Sequence, residues 1–159
     1  MLKVQDMPVE EMRALLQKNG FGHLGCTREG RPYVVPMHYV YDSRDIYFFT
    51  TEGMKTQFIE SNPEVCLQVE EIEDERHWRS VMATGRAEKV SDAEGMERAM
   101  QIITARNPTL TPAINETQLD AWGRANNIVI YRLRPDIIDG RKTTGDDAPE
   151  TSGAGESDS

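Results

Sequence analysis

A run of three β-rich segments between residues 21 and 51 limits the possible folds more than any other part of this sequence. The segments FGHLGCT (21–27), PYVVPMHYVYD (32–42) and IYFFTT (46–51) are rich in β-branched and aromatic residues, and only the short turns REGR and SRD separate them. Such segments are typical of antiparallel strands joined as hairpins. Pro36 interrupts the second segment, and a proline cannot donate a ladder hydrogen bond. We therefore predict an edge or a bulge at Pro36, where backbone groups stay free for another partner.

The rest of the chain adds strands and helices around this run. Further strands are predicted at 64–74, 78–92 and 127–138, helices at 9–20, 53–62, 92–107 and 118–126, and a loop at 108–117. Hairpins connect the strands, one helix follows the third strand, and strands and helices do not alternate regularly. This order predicts a mainly β (α+β) fold, a six-stranded antiparallel barrel, closed or partly open, with flanking helices.

The composition changes near residue 139. Residues 140–159 (GRKTTGDDAPETSGAGESDS) contain no aromatic or large aliphatic side chain. A segment of this kind cannot bury enough apolar surface to offset the entropy lost on ordering. We predict one folded domain at 1–139 and a disordered acidic tail at 140–159.

Charge and cysteine usage narrow the functional classes. The chain of 159 residues carries a formal net charge of −9 at pH 7, which argues against general nucleic-acid binding. Cys26 and Cys66 lie in apolar strand segments without the spacing of metal ligands, which predicts buried, reduced thiols, no metal site and a cytoplasmic protein. The N-terminus lacks the apolar region of a signal peptide and no apolar run is long enough to span a membrane, so no membrane contact is expected.

Residues 50–56 (TTEGMKT) have the composition of a phosphate-binding site. Hydroxyls, a glycine and a lysine stand where a predicted strand gives way to a helix, and unpaired N–H groups at a helix start attract anions. The segment is not a nucleotide P-loop, because that loop requires lysine directly after glycine, whereas Met54 separates Gly53 from Lys55. From these residues alone the identity of the phosphate stays open, and an ordinary solvated Lys55 is the alternative interpretation.

Three motifs occur in order along the chain: PYVVPM (32–37), the T-x-G-x-K pattern at 51–55 and a break at Asn62–Pro63, with the strand WRSVMATGRAEKV further on. This order resembles the FMN-binding split-barrel superfamily, in the branch related to pyridoxamine 5'-phosphate oxidase and the nitroimidazole-resistance flavoproteins. The resemblance implies a split barrel that forms a homodimer and binds FMN in the groove between the two barrels.

The resemblance also implies the residues that bind FMN. The flavin ring would lie against the backbone of the second strand, the phosphate would lie at the junction after the third strand, and the second subunit would contribute the start of the fifth strand. In that order the residues are Val34, Val35, Pro36 and Met37; Thr50, Thr51, Lys55 and Thr56; and Trp78, Arg79 and Ser80.

On this resemblance we expect an FMN-dependent oxidoreductase that passes electrons from NAD(P)H to a small organic acceptor. Pyridoxamine phosphate is a poor substrate candidate, because residues 128–142 lack the C-terminal substrate signature of the true oxidases. No catalytic side chain is identified, which flavin chemistry permits because the cofactor itself accepts the electrons. His38 could face the flavin or be an ordinary packed residue, and the acidic run at 70–75 is interpreted as a solvated face.

Two other classes of protein remain open. One is a flavin- or haem-binding carrier or stress protein without turnover. The other is a split barrel that has lost its cofactor and serves as a dimerisation module. The presence and colour of a bound cofactor distinguish these alternatives.

Overall fold

The structure is a computed structural model that describes residues 1–51, 53–106 and 128–144. In this part of the chain the elements are β1 (Lys3–Asp6), α1 (Val9–Lys18), β2 (Phe21–Arg28), β3 (Arg31–Tyr41), β4 (Ile46–Thr51), α2 (Met54–Ser61), β5 (Glu64–Asp74), β6 (His77–Lys89), α3 (Ala93–Arg106) and β7 (Ile128–Thr144). The predicted loop at 108–117, the predicted helix at 118–126 and the tail from residue 145 lie outside the described residues.

Six strands close into a ring. Their order is β7-β4-β3-β2-β5-β6, and a β6–β7 pairing completes the circle. Every pairing is antiparallel. β7 closes the ring because it is long enough to pair with two strands. Its first residues pair with β4, and a longer stretch of it pairs with β6. These are the six strands predicted from the sequence, so the predicted fold class is confirmed.

The end of β7 corrects the predicted domain boundary. β7 continues to Thr144, and its last four residues pair with β1, with Lys3 opposite Thr144 and Asp6 opposite Arg141. The boundary after residue 139 was therefore wrong, and residues 140–144 belong to the sheet. The composition was misleading because these residues are held by backbone pairing with β1, which needs no apolar side chain, and because Gly140 fits into the core only without a side chain. A Cβ at the buried Gly140 would lie 2.9 Å from the side chain of Met12.

Apolar side chains fill the interior of the ring, and α1 lies across one of its ends. α1 contacts β3, β5, β6 and β7, which are spread around the circle. Its Leu15 and Leu16 are completely buried, and the hydroxyl of Tyr39 in β3 donates a 2.7 Å hydrogen bond to the Leu16 carbonyl. The predicted amphipathic helix is thus stabilised by its apolar face, which covers the end of the core.

The outer surface of the ring has two different faces. α3 covers one of them, where its Ala99 and Ile103 pack against Val40, Tyr47 and Ile130 of β3, β4 and β7. The other, which we call the open face, is the outer surface of β2, β5 and β6 with the adjoining parts of β3 and β7. Large apolar side chains stay exposed on the open face, namely Phe21, Val34, Ile72, Met82 and Ile137.

The two cysteines lie on opposite sides of the sheet that forms the ring. Both are free thiols, and Cys26 is buried inside the ring, as predicted. Cys66 is only partly buried, because it lies opposite Gly25 on the outward side of β5, so its predicted burial was only partly right. Burial raises the pKa of the Cys26 thiol above its ordinary value.

Candidate functional site

β3 and β4 separate from each other halfway along β3. Within the described residues they pair only at Tyr39–Tyr41, opposite Ile46–Phe48. Beyond that point β3 has no described partner other than β2, and β4 continues to Thr51 beside β7. One edge of β3 between residues 31 and 38 is therefore unpaired, and a gap opens there in the ring. Pro36 lies on this free edge, in an uninterrupted register opposite His23, which confirms the predicted edge and not the bulge.

The side chains along this edge alternate between the core and the surface. Val34 is 66% exposed and Pro36 is also exposed, whereas Met37 is 4% exposed and belongs to the core. Val35 packs against the core from a partly buried position. A ligand at this edge would therefore meet backbone groups together with the outward side chains of Val34 and Pro36.

The start of α2 presents unpaired backbone donors. The first N–H of α2 with a backbone acceptor is that of Gln57, which donates to the Gly53 carbonyl at 3.1 Å. The N–H groups of Met54, Lys55 and Thr56 precede it and have no backbone acceptor among the described residues. The first turn of α2 contains no acidic residue. The helix start is thus suited to an anion by its dipole and its donors.

The Thr56 hydroxyl has a structural role that the sequence did not reveal. It donates to the Gly53 carbonyl at 2.7 Å and accepts from the Gly53 N–H at 2.9 Å. Because a hydroxyl has a single proton, this side chain cannot at the same time donate to a phosphate. Of the predicted phosphate ligands, Thr56 therefore offers its backbone N–H and not its hydroxyl.

The other predicted phosphate residues surround this helix start. Thr50 and Thr51 end β4 opposite Val129 and Ile128, and Thr50 is nearly buried. Lys55 is half-buried in the first turn of α2 and forms no ion pair with any residue that the structure describes. A lysine with restricted exposure and no carboxylate partner in the described part of the chain is available for an anionic ligand.

α2 joins the two sides of the gap. Its ring of Phe58 lies 5.1 Å from that of Tyr33 in β3, and at its end the Asn62 amide donates to the Thr27 hydroxyl of β2 at 2.9 Å. Ile59 is buried in the core. Because α2 leaves β4 directly and is fixed on β2 and β3, the structure brings the predicted residues of β3, β4 and α2 to one region.

The residues predicted on β6 do not join this group within one chain. In the ring, β6 is separated from β3 by β2 and β5. The Ser80 hydroxyl accepts a 2.9 Å hydrogen bond from Gln68, and the Trp78 N–H donates to the Thr143 hydroxyl at 3.1 Å. Their assignment to the cofactor of a second subunit stays a prediction.

Arg79 takes part in an ion-pair network that sequence reasoning missed. Its Nη2 lies 2.6 Å from Oε1 of Glu71, and Nζ of Lys18 lies 2.7 Å from Oε2 of the same carboxylate. Hydrogen bonds from Lys18 and then Arg79 lower the pKa of Glu71 to about 2. The acidic run at 70–75 is therefore not only a solvated face. A cavity of about 310 Å³ adjoins the network, lined in part by His77 and Trp78.

His38 lies on the outside of β3. Its ring contacts that of Phe21 edge to face, with centroids 5.0 Å apart, and the two residues are opposite each other in the β2–β3 register. This contact favours the interpretation of His38 as a packed residue. Among the described residues, no group of three or more His, Cys, Asp or Glu side chains could hold a metal ion. No helix of that part of the chain has the length and apolar character needed to cross a membrane.

Comparison with known proteins places this geometry in a family. A crystal structure of a FAD-binding protein from Mesorhizobium loti matches 91% of this chain and 100% of its own, with 28% identity and a TM-score of 0.74. A proposed 5-nitroimidazole antibiotic resistance protein from Bacteroides thetaiotaomicron has the same fold. The match covers 90% of this chain and 89% of that one, with 21% identity and a TM-score of 0.70.

Sequence relatives agree with the structural ones. An uncharacterized protein of Rhizobium meliloti (strain 1021) is 34% identical over 92 residues, a stretch that covers 58% of this chain and only 61% of that protein. The family model described as pyridoxamine 5'-phosphate oxidase matches residues 8–142. The resemblance inferred from the sequence is confirmed, and the chain belongs to the pyridoxamine 5'-phosphate oxidase family.

Proposed function

We propose that the protein is a flavoprotein that binds FMN at the gap between β3 and β4, acts as a homodimer, and passes electrons from NAD(P)H to a small organic acceptor. The observation that carries the proposal is the meeting of three unpaired features at one gap. They are the free edge of β3, the N–H groups that open α2, and the cationic side chain of Lys55. Family membership supports a flavin as the ligand, since the relative from Mesorhizobium loti is described as FAD-binding.

The start of α2 would hold the FMN phosphate. In a chain with a net charge of −9, a dianion needs a locally favourable site. Lys55 would supply the charge, and the N–H groups of Met54, Lys55 and Thr56 would supply donors. The Thr56 hydroxyl holds Gly53 and so fixes the direction in which these donors point.

The edge of β3 would bind and orient the flavin ring. Its free N–H and C=O groups can pair with the polar side of the ring, and Pro36 can contribute only its carbonyl. The exposed side chains of Val34 and Pro36 offer apolar contact beside this edge. When bound, the flavin supplies the hydride and electron chemistry, and the protein binds and orients it.

The open face supports a second copy of the chain as partner. A continuous row crosses this face from Val34 through Gly25, Cys66 and Thr84 to Ile137. Val34 is 66% exposed and Ile137 is 61% exposed, and an apolar cavity of about 340 Å³ lies between Val34, Gly25 and Cys66. Contiguous apolar surface of this kind marks interaction sites, and a two-fold axis lets one face bind itself.

The same face carries two of the three residues predicted to cross to the partner's cofactor, whereas Arg79 lies on the other side of β6 and pairs with Glu71. Side chains alternate along β6, so Trp78 and Ser80 lie on the same side as Met82, one of the exposed residues of the open face. Dimerisation through the open face would therefore bring Trp78 and Ser80 towards the partner's β3 edge. FMN binding and dimerisation should then be coupled.

The absorbance spectrum of the purified protein, followed by chromatography of the cofactor released on denaturation, tests the proposal. Flavin bands with released FMN support it, whereas released FAD would require a different assignment of the phosphate site. A Soret band would instead indicate a haem carrier. A colourless protein that does not bind added FMN would contradict flavin binding and favour the dimerisation module.

Turnover needs a separate measurement. Oxidation of NAD(P)H by the flavin-loaded protein under anaerobic conditions, followed at the flavin bands, distinguishes an oxidoreductase from a carrier. Reduction of the flavin within seconds supports the enzyme. A flavin that binds and stays oxidised in excess NADH and NADPH would contradict it.

A further inference from the structure

A second polar cavity lies on the side of the ring that α3 covers. It has a volume of about 340 Å³ and is lined by the β3–β4 turn, β4, α3 and β7 through Asp42, Arg44, Asp45, Tyr47, Arg98, Ile102, Arg132 and Arg134. It is far from the start of α2 at Lys55, because it adjoins the first residues of β4 whereas α2 follows the last. The six residues of β4 separate the two by roughly 17 Å.

The two carboxylates of this cavity already have partners. Asp42 Oδ1 accepts the backbone N–H groups of Arg44 and Asp45 at 2.9 and 2.7 Å and so forms the turn. Asp45, whose side chain is 6% exposed, lies 3.4 Å from Nε of Arg134 and 4.0 Å from Nε of Arg44. Among the described residues neither carboxylate forms an ion pair with Arg98 or Arg132, although the charge of Asp45 also attracts Arg132.

Two arginines of the cavity keep unused hydrogen-bonding capacity. Nη2 of Arg132 donates to Glu88 at 2.8 Å, but its Nε is buried and has no hydrogen-bond partner among the described residues. Arg98 projects from α3 and forms no ion pair with any residue in the described part of the chain. A buried donor without a partner costs free energy, so the side chain of Arg132 is not held by a complete set of hydrogen bonds.

A smaller cavity extends this cationic region. Its volume is about 90 Å³, and it shares Tyr47, Arg98 and Arg132 with the larger one while adding Lys89 and Asp92, whose carboxylate accepts the Gly95 N–H at 2.9 Å. Arg98 and Arg132 thus stand between two adjoining cavities. Tyr47 and Ile102 give the larger cavity an apolar wall beside the charges.

We propose that this cavity is a binding site for a small phosphate-bearing molecule, with Arg98 and Arg132 as its principal donors. The planar guanidinium fork matches phosphate oxygens in a two-point contact. The volume, near the lower end of the range for ligand sites, fits a small metabolite with an apolar part against Tyr47 and Ile102. This inference does not rest on flavin binding, since none of these residues lies at the gap.

The test uses the full chain loaded with FMN and then freed of unbound FMN, so that the flavin site cannot report the added anion and no free flavin phosphate competes for the cavity. Potassium phosphate and potassium pyrophosphate are titrated, and the melting temperature is compared with that in potassium chloride of equal ionic strength. Arg98→Gln removes one charge from an exposed helix position, and glutamine is itself a good helix former, so the helix should persist. Arg28→Gln removes the same charge at the distant β2–β3 turn and serves as the matched control.

Phosphate and pyrophosphate should raise the melting temperature of the wild type and of Arg28→Gln, and Arg98→Gln should need about tenfold more anion for the same rise. Equal responses of Arg98→Gln and the wild type would overturn the proposal. So would a rise that potassium chloride reproduces. A response to citrate with none to either phosphate would also overturn it, because the cavity would then bind carboxylates.

Discussion

At the scale of single residues, Lys55 is the most direct test of the phosphate site. A charge-assisted contact to phosphate contributes about 1.5–3 kcal/mol, so Lys55→Ala should weaken FMN binding by roughly 10- to 150-fold. Riboflavin lacks the phosphate, so its affinity should hardly change in the same variant. Titration of both flavins by fluorescence quenching measures the difference.

Lys55→Arg is the matched control for this prediction, because it keeps the charge and should keep most of the FMN affinity unless its larger fork does not fit. Equal losses for FMN and riboflavin in Lys55→Ala would show damage to the fold or to the ring site. Unchanged FMN binding would place the phosphate elsewhere.

Glu71 gives a prediction about acid stability. Its pKa is lowered to about 2 in the folded protein from an ordinary value of 4.5, so its contribution to stability is complete above the higher value and is lost as the pH falls towards the lower one. Because the network is partly open to solvent, we expect only about 1 kcal/mol. Between these pH values, unfolding by urea should show a steeper loss for the wild type than for Glu71→Gln.

Glu73→Gln is the control, since it removes the same charge from the same acidic run without touching Lys18 or Arg79. It should follow the wild-type profile. If Glu71→Gln also follows that profile, the ion pairs seen with Lys18 and Arg79 do not contribute to stability.

At the scale of elements, the end of β7 makes a testable distinction within the C-terminal segment. Thr143 accepts the N–H of Trp78, and Nζ of Lys142 lies 2.9 Å from Oε1 of Glu11. A chain that ends after Gly140 loses these contacts and the partner of β1, and should be destabilised by about 1–3 kcal/mol. A chain that ends after Thr144 should melt like the full protein.

Thermal unfolding of the two shortened chains measures this difference, which corresponds to several degrees in a protein of this size. Equal melting temperatures would mean that the pairing of β1 with β7 adds nothing. A large loss in the longer of the two would mean that residues after 144 stabilise the fold.

Local patterns were sufficient to predict most elements, and the exceptions have a physical reason. β-rich runs and short turns predicted the six strands of the ring, and Pro36 predicted the free edge, because both signals act over a few residues. The exposed strand β1 was missed, since all four of its residues lie at the surface and carry no burial pattern. The boundary at residue 139 failed because pairing with β1 is decided by residues that are more than a hundred positions away.

The candidate site was predictable to the same limited extent. The junction at 50–56 indicated a candidate anion site through residue types that are close in sequence, and that site stays a prediction. The role of the Thr56 hydroxyl was not visible, because donor and acceptor patterns depend on the rotamer. The arginines around the second cavity come from the β3–β4 turn, α3 and β7, so only the closed ring brings them together.

At the scale of the whole molecule, the open face predicts the oligomeric state. Ile137→Lys places a charge on exposed surface of the single chain, where it should be tolerated, but would leave that charge unpaired in a dimer interface. The variant should be monomeric at micromolar concentration in sedimentation velocity, whereas the wild type should be dimeric. FMN affinity should fall together with dimerisation.

Val9→Lys is the matched control, since Val9 is an exposed apolar residue on α1 and not on the open face. It should stay dimeric. A wild type that is monomeric with FMN bound would contradict both the dimer and its coupling to the cofactor.

The closure of the ring by β7 has a consequence for synthesis of the protein. β4 and β6 each have one edge that pairs with β7, and β1 pairs with the last residues of β7. The contacts of β7 therefore join positions as far apart as Lys3 and Thr144. Contacts of such long range slow folding, and unpaired strand edges attract other chains meanwhile. A ribosome that has not yet released β7 therefore holds a nascent chain with open strand edges on both β4 and β6. We expect its yield in cells to depend on chaperones that shield those edges until β7 has emerged and paired.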